Sequence, residues 1–244
     1  MILGLSRRFN ELLVQDYGVP PDRLNVLYHA IRDAGNDASD VADSNIPPKP
    51  MRLLFVARIS VRKGFEQIVE LSRRLDDLQG QITIEVIGDK TQWSDYTGHI
   101  KELNPRIAKY LGQLSHSKMA RIYDGADILL VPSMYEPGGL VVGEALSHGV
   151  NVVASDEVGS AEPIAKECCH RFPAGNVDAF EAVTRVLISK LGKDRVKLRQ
   201  VARMQARRYF APEIVSRRLI SCLQDAATRS TSSRGSERLE LAAQ

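Results

Sequence analysis

Two carboxylates, Glu136 and Glu144, flank a glycine-rich segment that contains Gly138, Gly139 and Leu140. The segment follows an apolar run of strand length and precedes a helical pattern. Backbone N–H groups at a helix start can receive an anion, and carboxylates accept hydrogen bonds from hydroxyl groups. The residue types therefore predict a site for a polyhydroxylated ligand that carries an anionic group. Both carboxylates also suit helix capping, but two adjacent glycines are a costly helix start unless the backbone must approach a ligand.

Two cations occupy a comparable place earlier in the chain. Arg58 follows the strand predicted at residues 51–57, and Lys63 is predicted to begin the next helix. Arginine offers a planar fork for two phosphate oxygens, and lysine adds a compact charge. The sequence contains neither a dinucleotide-binding glycine fingerprint nor a phosphate-binding P-loop, so side-chain cations would have to neutralise a phosphate. A solvated basic loop is the alternative, but the carboxyl end of a parallel strand favours binding. A second turn, after the strand predicted at 152–155, offers Gly159, Ser160 and Glu162 to the same rim.

The alternation of strand-length apolar runs with amphipathic helical patterns predicts an α/β fold with a Rossmann-like, doubly wound parallel sheet. Residues 1–44 begin with a helix at 7–17 and a short strand at 25–28. The proline-rich residues 45–50 form a predicted linker, and a polar tail from residue 226 is predicted to be disordered. Strands are predicted at 51–57, 82–88, 106–111, 127–131, 152–155 and 168–172, and further helices at 63–78, 118–123, 178–191, 195–207 and 212–223.

Composition limits the possible partners and compartment. The 244 residues carry a net charge of only +3, which argues against nucleic acid as a partner. The N-terminus is unlike a signal peptide, and no apolar stretch approaches the ~20 residues that span a bilayer. Three cysteines, an odd number, favour a reducing, cytoplasmic setting. The triplet Cys168, Cys169 and His170 lacks the spacing of a metal site, so we predict a buried strand there and no metal. An arginine-rich helix face at residues 199–208 is predicted to be solvated, with an anionic membrane surface as the weaker alternative.

Taken together, these motifs resemble the carboxyl-terminal, donor-binding half of a GT-B glycosyltransferase, and specifically the retaining family known as glycosyltransferase family 4. The resemblance covers the chain from about Gly4 to Cys222. Its most specific part is the pair of glutamates separated by seven residues and followed by alanine. The matching elements are Phe55-Val-Ala-Arg58 with Lys63-Gly64, Ile87-Gly88-Asp89, Leu111-Gly112, Val131-Pro-Ser133, Glu136 with Glu144-Ala145, and the Gly149 segment that ends in Val-Val-Ala-Ser155.

The resemblance implies a role for each matching residue. Glu136 would contact the hydroxyls of the donor sugar, and Glu144 would bind the ribose of the nucleotide. Arg58 and Lys63 would neutralise the diphosphate as it leaves, so that no metal is needed. The donor substrate would be a nucleotide-diphospho-sugar, and no cofactor is implied.

The resemblance also assigns backbone positions to the donor. Gly138, Gly139 and Leu140 would approach its phosphates and sugar, while Gly112 would lie near the base. Trp93 and Tyr96 follow the second strand, where a loop aromatic could stack on the base or only anchor the loop.

The sequence departs from the family in several places. Ala57 stands where the family commonly has glycine, Arg62 where it has an acidic residue, and Ser160 where it has a second glycine. Residues 1–44 resemble only the end of the amino-terminal acceptor domain, which is otherwise largely absent. We therefore expect residues 51–225 to bind the donor and an acceptor-domain polypeptide to complete the enzyme. The alternatives are a non-catalytic remnant that binds a partner or self-associates through its exposed inter-domain face, and an unrelated flavodoxin-like binding domain.

Overall fold

A computed structural model describes residues 1–32, 50–91 and 95–242, with side chains described as far as residue 228. Apart from Pro50, the predicted linker at 45–50 lies outside the described residues, and so does Trp93.

A parallel sheet of six strands forms the centre of the fold. The strand order is β5-β4-β3-β6-β7-β8, so the chain winds outward in one direction from β3 and in the other direction from β6. This order confirms the predicted doubly wound sheet, with its topological switch point between β3 and β6. The strands are β3 at Met51–Val56, β4 at Ile82–Ile87, β5 at Ala108–Gly112, β6 at Ile128–Val131, β7 at Asn151–Ser155 and β8 at Cys169–Phe172.

Helices cover both faces of this sheet, because its central strands are apolar on both sides. The helices are α1 at Arg7–Tyr17, α2 at Phe65–Arg74, α3 at His116–Asp124, α4 at Leu140–Ser147, α5 at Val177–Phe210 and α6 at Pro212–Ala242. Helix α2 and the first half of α5 bury one face, where Phe65 and Phe180 are fully enclosed. Helix α4 and the second half of α5 bury the other, where Val142 and Ala202 are enclosed.

Helix α5 therefore packs against both faces of the sheet. The sequence predicted two helices there, and the structure joins them through a single non-helical residue, Asp194. This kink allows the helix to pass from one face of the sheet to the other. The backbone of residues 226–242, which the sequence predicted as a disordered tail, is drawn as a continuation of helix α6. Alanine, arginine, glutamate and leucine favour helix in this stretch despite its serine content.

Residues 1–32 form a small unit that packs against the larger one. Strands β1 at Ile2–Gly4 and β2 at Leu24–Val26 pair in parallel, and α1 connects them. The sequence predicted α1 but not β1, which is too short to show a period. The ring of Tyr28 meets Phe210 edge-on at 6.0 Å, and the Ile31 N–H donates to the Phe210 carbonyl at 2.8 Å. Within the described part of the chain, no helix is both long and apolar enough to cross a bilayer.

Candidate active site

The loops that follow β3 and β6 meet at the switch point of the sheet. The Met134 N–H donates to the carbonyl of Arg62 at 2.8 Å, which joins the two loops directly. Gly64 has a left-handed φ of 72°, and a Cβ there would overlap the carbonyl of Pro132. Only glycine permits this approach, and the approach brings the preceding residue, Lys63, over the end of β6.

The same turn corrects one prediction. Lys63 does not begin the helix but ends a short 3-10 turn at Val61–Lys63, and α2 starts after Gly64. A left-handed residue cannot belong to a right-handed helix, so the helix begins one residue beyond it.

Lys63 and Glu136, predicted from separate loops, form an ion pair between Nζ and Oε2. The side chains are only 20% and 15% exposed, so water screens the pair weakly. Burial, followed by the positive charges of Arg62 and Arg58, lowers the pKa of Lys63 to about 8. The Glu136 carboxylate acts in the opposite direction, because it stabilises the ammonium. Arg58 is exposed, and its positive charge contributes to the lowered pKa of Lys63. The structure thus joins Lys63 directly to Glu136 and places Arg58 near Lys63.

Glu136 also contacts the start of helix α4. Its Oε1 accepts a hydrogen bond from the Gly139 N–H at 3.2 Å. Gly139 caps α4 with a left-handed φ of 58°, and its carbonyl accepts from Ser160 Oγ at 2.9 Å. The carboxylate thus occupies the N–H of the residue that caps α4. The remaining N–H groups of a helix start favour an anion, and Lys63 lies beside this helix start.

Glu144 and Leu140 lie one turn apart on α4, so they share a face of the helix. Leu140 is 48% exposed, which shows that this face is open to solvent. The Glu144 Oε2 accepts from the hydroxyl of Tyr123 at 3.0 Å. Burial and then the charge of Glu144 raise the pKa of Tyr123, which keeps the phenol a donor. Oε1 is left to accept from another group, for example a ligand hydroxyl.

Gly112 lies further along the same edge, at the end of β5. Its carbonyl accepts from the Gly88 N–H at 3.0 Å, and the Tyr110 hydroxyl donates to the Gly88 carbonyl at 2.7 Å. Gly112 has a left-handed φ of 73°, and a Cβ built on it would meet nothing within 4 Å. Tyr96, which was predicted either to stack on the base or to anchor its loop, stacks on His99 with ring centroids 5.9 Å apart.

Residues 1–32 contribute a side chain to this edge that the sequence did not indicate. A Cβ on Gly138 would lie 2.9 Å from Nε2 of His29 and 3.4 Å from Cδ1 of Leu5. The imidazole of His29 therefore rests against the glycine turn. Tyr123, which donates to Glu144, is a further neighbour that sequence reasoning missed, whereas Ser160, offered to the rim by the sequence, contacts the glycine turn. A motif search cannot find such residues, because distant segments bring them to the site.

Glu162 was predicted to face the ligand rim, and the structure corrects this assignment. Its two carboxylate oxygens accept from the backbone N–H groups of Arg7 and Arg8, each at 2.9 Å. These donors belong to the first turn of α1, which has no intrahelical partner for them and attracts a negative charge.

The predicted strand at the cysteines is present. Cys169 begins β8, and Cys168, Cys169 and Cys222 are buried free thiols. Burial raises the pKa of Cys168 and Cys169 to about 12, which makes both poor metal ligands and poor nucleophiles. Among the described residues, no group of three or more metal-ligating side chains occurs.

The architecture is that of the carboxyl-terminal half of the GT-B fold. Solved structures share this fold: a glycosyltransferase from Rickettsia africae superimposes with a TM-score of 0.76 at 19% identity, over 91% of this chain and 62% of that one. Anabaena HepE in complex with UDP gives a TM-score of 0.72 at 17% identity, over 92% of this chain and 64% of that one.

The sequence model of the family described as "Glycosyl transferases group 1" matches residues 36–207. This chain belongs to that family.

Curated relatives are longer than this chain. An uncharacterised glycosyltransferase of Methanocaldococcus jannaschii is 24% identical over 68% of this chain and 45% of its own length. The amylovoran biosynthesis glycosyltransferase AmsK of Erwinia amylovora is 26% identical over 92% of this chain and 56% of its own length. The chain thus spans about half the length of these relatives.

Proposed function

We propose that this chain binds a nucleotide-diphospho-sugar and, with an acceptor-binding domain, transfers the sugar to a hydroxyl group with retention of configuration. The observation that carries the proposal is the contact of Lys63 with Glu136 and of Glu136 with the Gly139 N–H at the switch point of the sheet. A cation, a carboxylate and helix N–H groups meet there, and each suits one part of such a donor. The bound UDP in the HepE structure supports a uridine nucleotide as the first ligand to test.

The charges divide the donor between the two kinds of residue. A carboxylate beside a diphosphate is repulsive, so Glu136 faces the sugar hydroxyls or the positive charge that develops at the anomeric carbon. Arg58, Lys63 and the N–H groups at the start of α4 face the diphosphate. Glu144, held by Tyr123, accepts from the ribose hydroxyls.

Donor binding then exchanges partners within the site. In the free protein Lys63 neutralises Glu136. A diphosphate competes for the ammonium and releases the carboxylate, which becomes available to the sugar.

In the reaction, the bond from the anomeric carbon to the phosphate oxygen breaks and a bond to the acceptor oxygen forms. Arg58 and Lys63 stabilise the charge that grows on the leaving diphosphate. Retention follows when the acceptor attacks on the face from which the diphosphate departs. The departing phosphate oxygen takes the acceptor proton, since Glu136 carries a sugar contact.

Isothermal titration with UDP, GDP, ADP and their glucose or mannose derivatives tests donor binding. We expect one base to bind in the micromolar to millimolar range and Glu144→Gln to weaken it about tenfold, as expected for a lost charge-assisted hydrogen bond. The exposed Glu167→Gln is the control for loss of a carboxylate.

Absence of binding for all six ligands at millimolar concentration would sink the proposal. Binding that neither Glu144→Gln nor Arg58→Ala changes would instead support a flavodoxin-like site elsewhere on the sheet. Capture of a partner chain that is unaffected by Glu136→Ala, without nucleotide binding, would support the interaction module.

A further inference from the structure

Residues 156–162, here called the bridging segment, fix the backbone of Glu136. The Glu136 N–H donates to the carbonyl of Glu157 at 3.1 Å, and the Gly159 N–H donates to the carbonyl of Glu136 at 2.9 Å. Both polar backbone groups of Glu136 are thus used by one neighbouring segment. The position of the carboxylate depends on where that segment lies.

The bridging segment is in turn fastened to helix α1. The Glu162 carboxylate accepts from the N–H groups of Arg7 and Arg8. The Arg8 Nε lies 3.3 Å from each carboxylate oxygen of Glu157. One end of the segment therefore binds the helix N-terminus and the other binds a side chain of the same helix turn. Both contacts are charge-assisted, which makes them stronger than neutral hydrogen bonds.

Close packing joins the same three parts. A Cβ on Gly159 would overlap both the side chain of Ser6, which caps α1, and the carbonyl of Pro137, which follows Glu136. The helix cap, the bridging segment and the site loop thus lie in direct succession without a gap. A shift of α1 is transmitted to residues 136–137 by contact alone.

From this chain of contacts we propose that Glu162 is a positioning residue: by clamping the N-terminus of α1, it sets the bridging segment and, through it, the carboxylate of Glu136. The inference rests on the proposed function, in which Glu136 contacts the sugar of the donor. The clamp therefore governs affinity for the sugar part and not for the nucleotide part. Glu144 lies on helix α4 and keeps its contact with Tyr123 when the clamp is opened. Lys63 pairs with Glu136 in the free chain, but in the proposed complex its ammonium has left Glu136 for the diphosphate.

The test compares a nucleotide with its sugar derivative on the full chain. Dissociation constants for UDP and UDP-glucose, with the GDP-mannose and ADP-glucose pairs in parallel, are measured for the wild type, Glu162→Ala and Glu162→Gln. We expect Glu162→Ala to weaken the nucleotide-sugar about tenfold while the free nucleotide changes less than twofold. The affinity of Glu162→Gln for the nucleotide-sugar should lie between those of the wild type and Glu162→Ala, because the glutamine amide oxygen still accepts one of the two N–H groups. Glu167→Ala, an exposed carboxylate five residues further on, should change neither constant.

Gly159→Ala tests the same idea without removing a charge. The added methyl group should push Ser6 from Pro137 and reproduce the selective loss of affinity for the nucleotide-sugar. Thermal unfolding separates positioning from general damage, because a purely structural role would lower the melting temperature and weaken both ligands equally.

Equal losses for both ligands, or no loss in either variant, would overturn the positioning role while the proposed function stands. A wild-type chain that binds neither member of any pair would overturn the proposed function itself, and the positioning role with it.

Discussion

Charge is used in different ways where the strands of the central sheet begin, here called the amino edge, and where they end, here called the carboxyl edge. At the amino edge, Asp127 is fully buried and its carboxylate accepts from Arg195 Nε at 2.7 Å and from the Arg52 N–H at 3.0 Å. Arg199 donates to the carbonyls of residues 124, 126 and 148 at the ends of α3 and α4. At the carboxyl edge, Arg58 is exposed and Lys63 has a lowered pKa.

This contrast separates structural charge from functional charge. At the amino edge, the charged side chains of Asp127, Arg195 and Arg199 bind other protein groups. Their hydrogen bonds hold together loops and helix ends that are far apart in the chain. The carboxyl edge gathers two cations and a helix start around one carboxylate, which leaves positive potential for a ligand. Substitutions at the two edges should therefore separate effects on stability from effects on binding.

The largest effect on stability is expected at the amino edge. Asp127→Ala leaves Arg195 and Arg199 without their carboxylate and should lower the free energy of unfolding by about 3 kcal/mol. Urea denaturation measures this loss. Asp178→Ala removes an 86% exposed carboxylate and should cost less than about 1 kcal/mol. If Asp127→Ala weakened nucleotide binding by the folded protein, the two edges would not be independent.

The largest effect on binding is expected from Lys63→Met. It removes the buried ammonium from the predicted diphosphate site and should weaken nucleotide-diphosphate binding about 30- to 100-fold, or 2–3 kcal/mol. Stability should fall less than in Asp127→Ala, because Glu136 is 15% exposed and keeps the Gly139 N–H as a partner. Isothermal titration and urea denaturation check both parts. Lys197→Met removes an exposed lysine of α5 and serves as the control.

Titration of Lys63 should make binding depend on pH. With a pKa of about 8, its charged fraction falls from about 0.9 at pH 7 to about 0.1 at pH 9, so affinity should fall about tenfold. Affinity is highest below pH 8 because the diphosphate needs the ammonium. Lys63→Arg keeps its charge throughout this range and should flatten the profile. A wild-type affinity that stays constant from pH 7 to 9 would contradict the lowered pKa.

Stability should respond to pH in the opposite direction. The pKa of Lys63 is lower in the folded chain than in the unfolded one, so the unfolded chain binds more protons between about pH 8 and 10.5. The contribution of Lys63 to folding stability therefore rises as pH rises through this window. Denaturation of the wild type and Lys63→Met at pH 7 and 10 should show this difference.

The smallest effect is expected from His29, which approaches the carboxyl edge from outside the sheet. Because its imidazole lies against Gly138, His29→Ala should weaken nucleotide-sugar binding about threefold, within the range of a single neutral hydrogen bond. Titration calorimetry resolves this change. His116→Ala, an exposed histidine at the start of α3, should have no effect.

Much of the fold could be predicted because its signals are local. Apolar runs predicted all six strands of the sheet and their parallel arrangement, and amphipathic patterns predicted α1 to α4. Errors arose where local signals were weak. β1 is short, and the start of α2 depends on the left-handed Gly64.

The candidate site could be predicted in part. The residue types and spacing of Arg58, Lys63, Glu136 and Glu144 indicated an anionic, polyhydroxylated ligand, and sheet topology placed the loops at one edge. The direct pairing of Lys63 with Glu136 could not be predicted, because it depends on side-chain positions. Glu162 was assigned to the ligand rim, since nothing in its own segment shows that α1 lies beside it.

The sequence by itself determined the order of strands and helices, the glycines that turn the chain sharply, and the kinds of charge carried by each loop. These are properties of short stretches, set by backbone conformation and hydrophobic period. Only the tertiary structure decided which charges meet. Residues 63 and 136, or 7 and 162, are far apart in the chain, and packing of the sheet, α1 and the bridging segment brings them within hydrogen-bond distance.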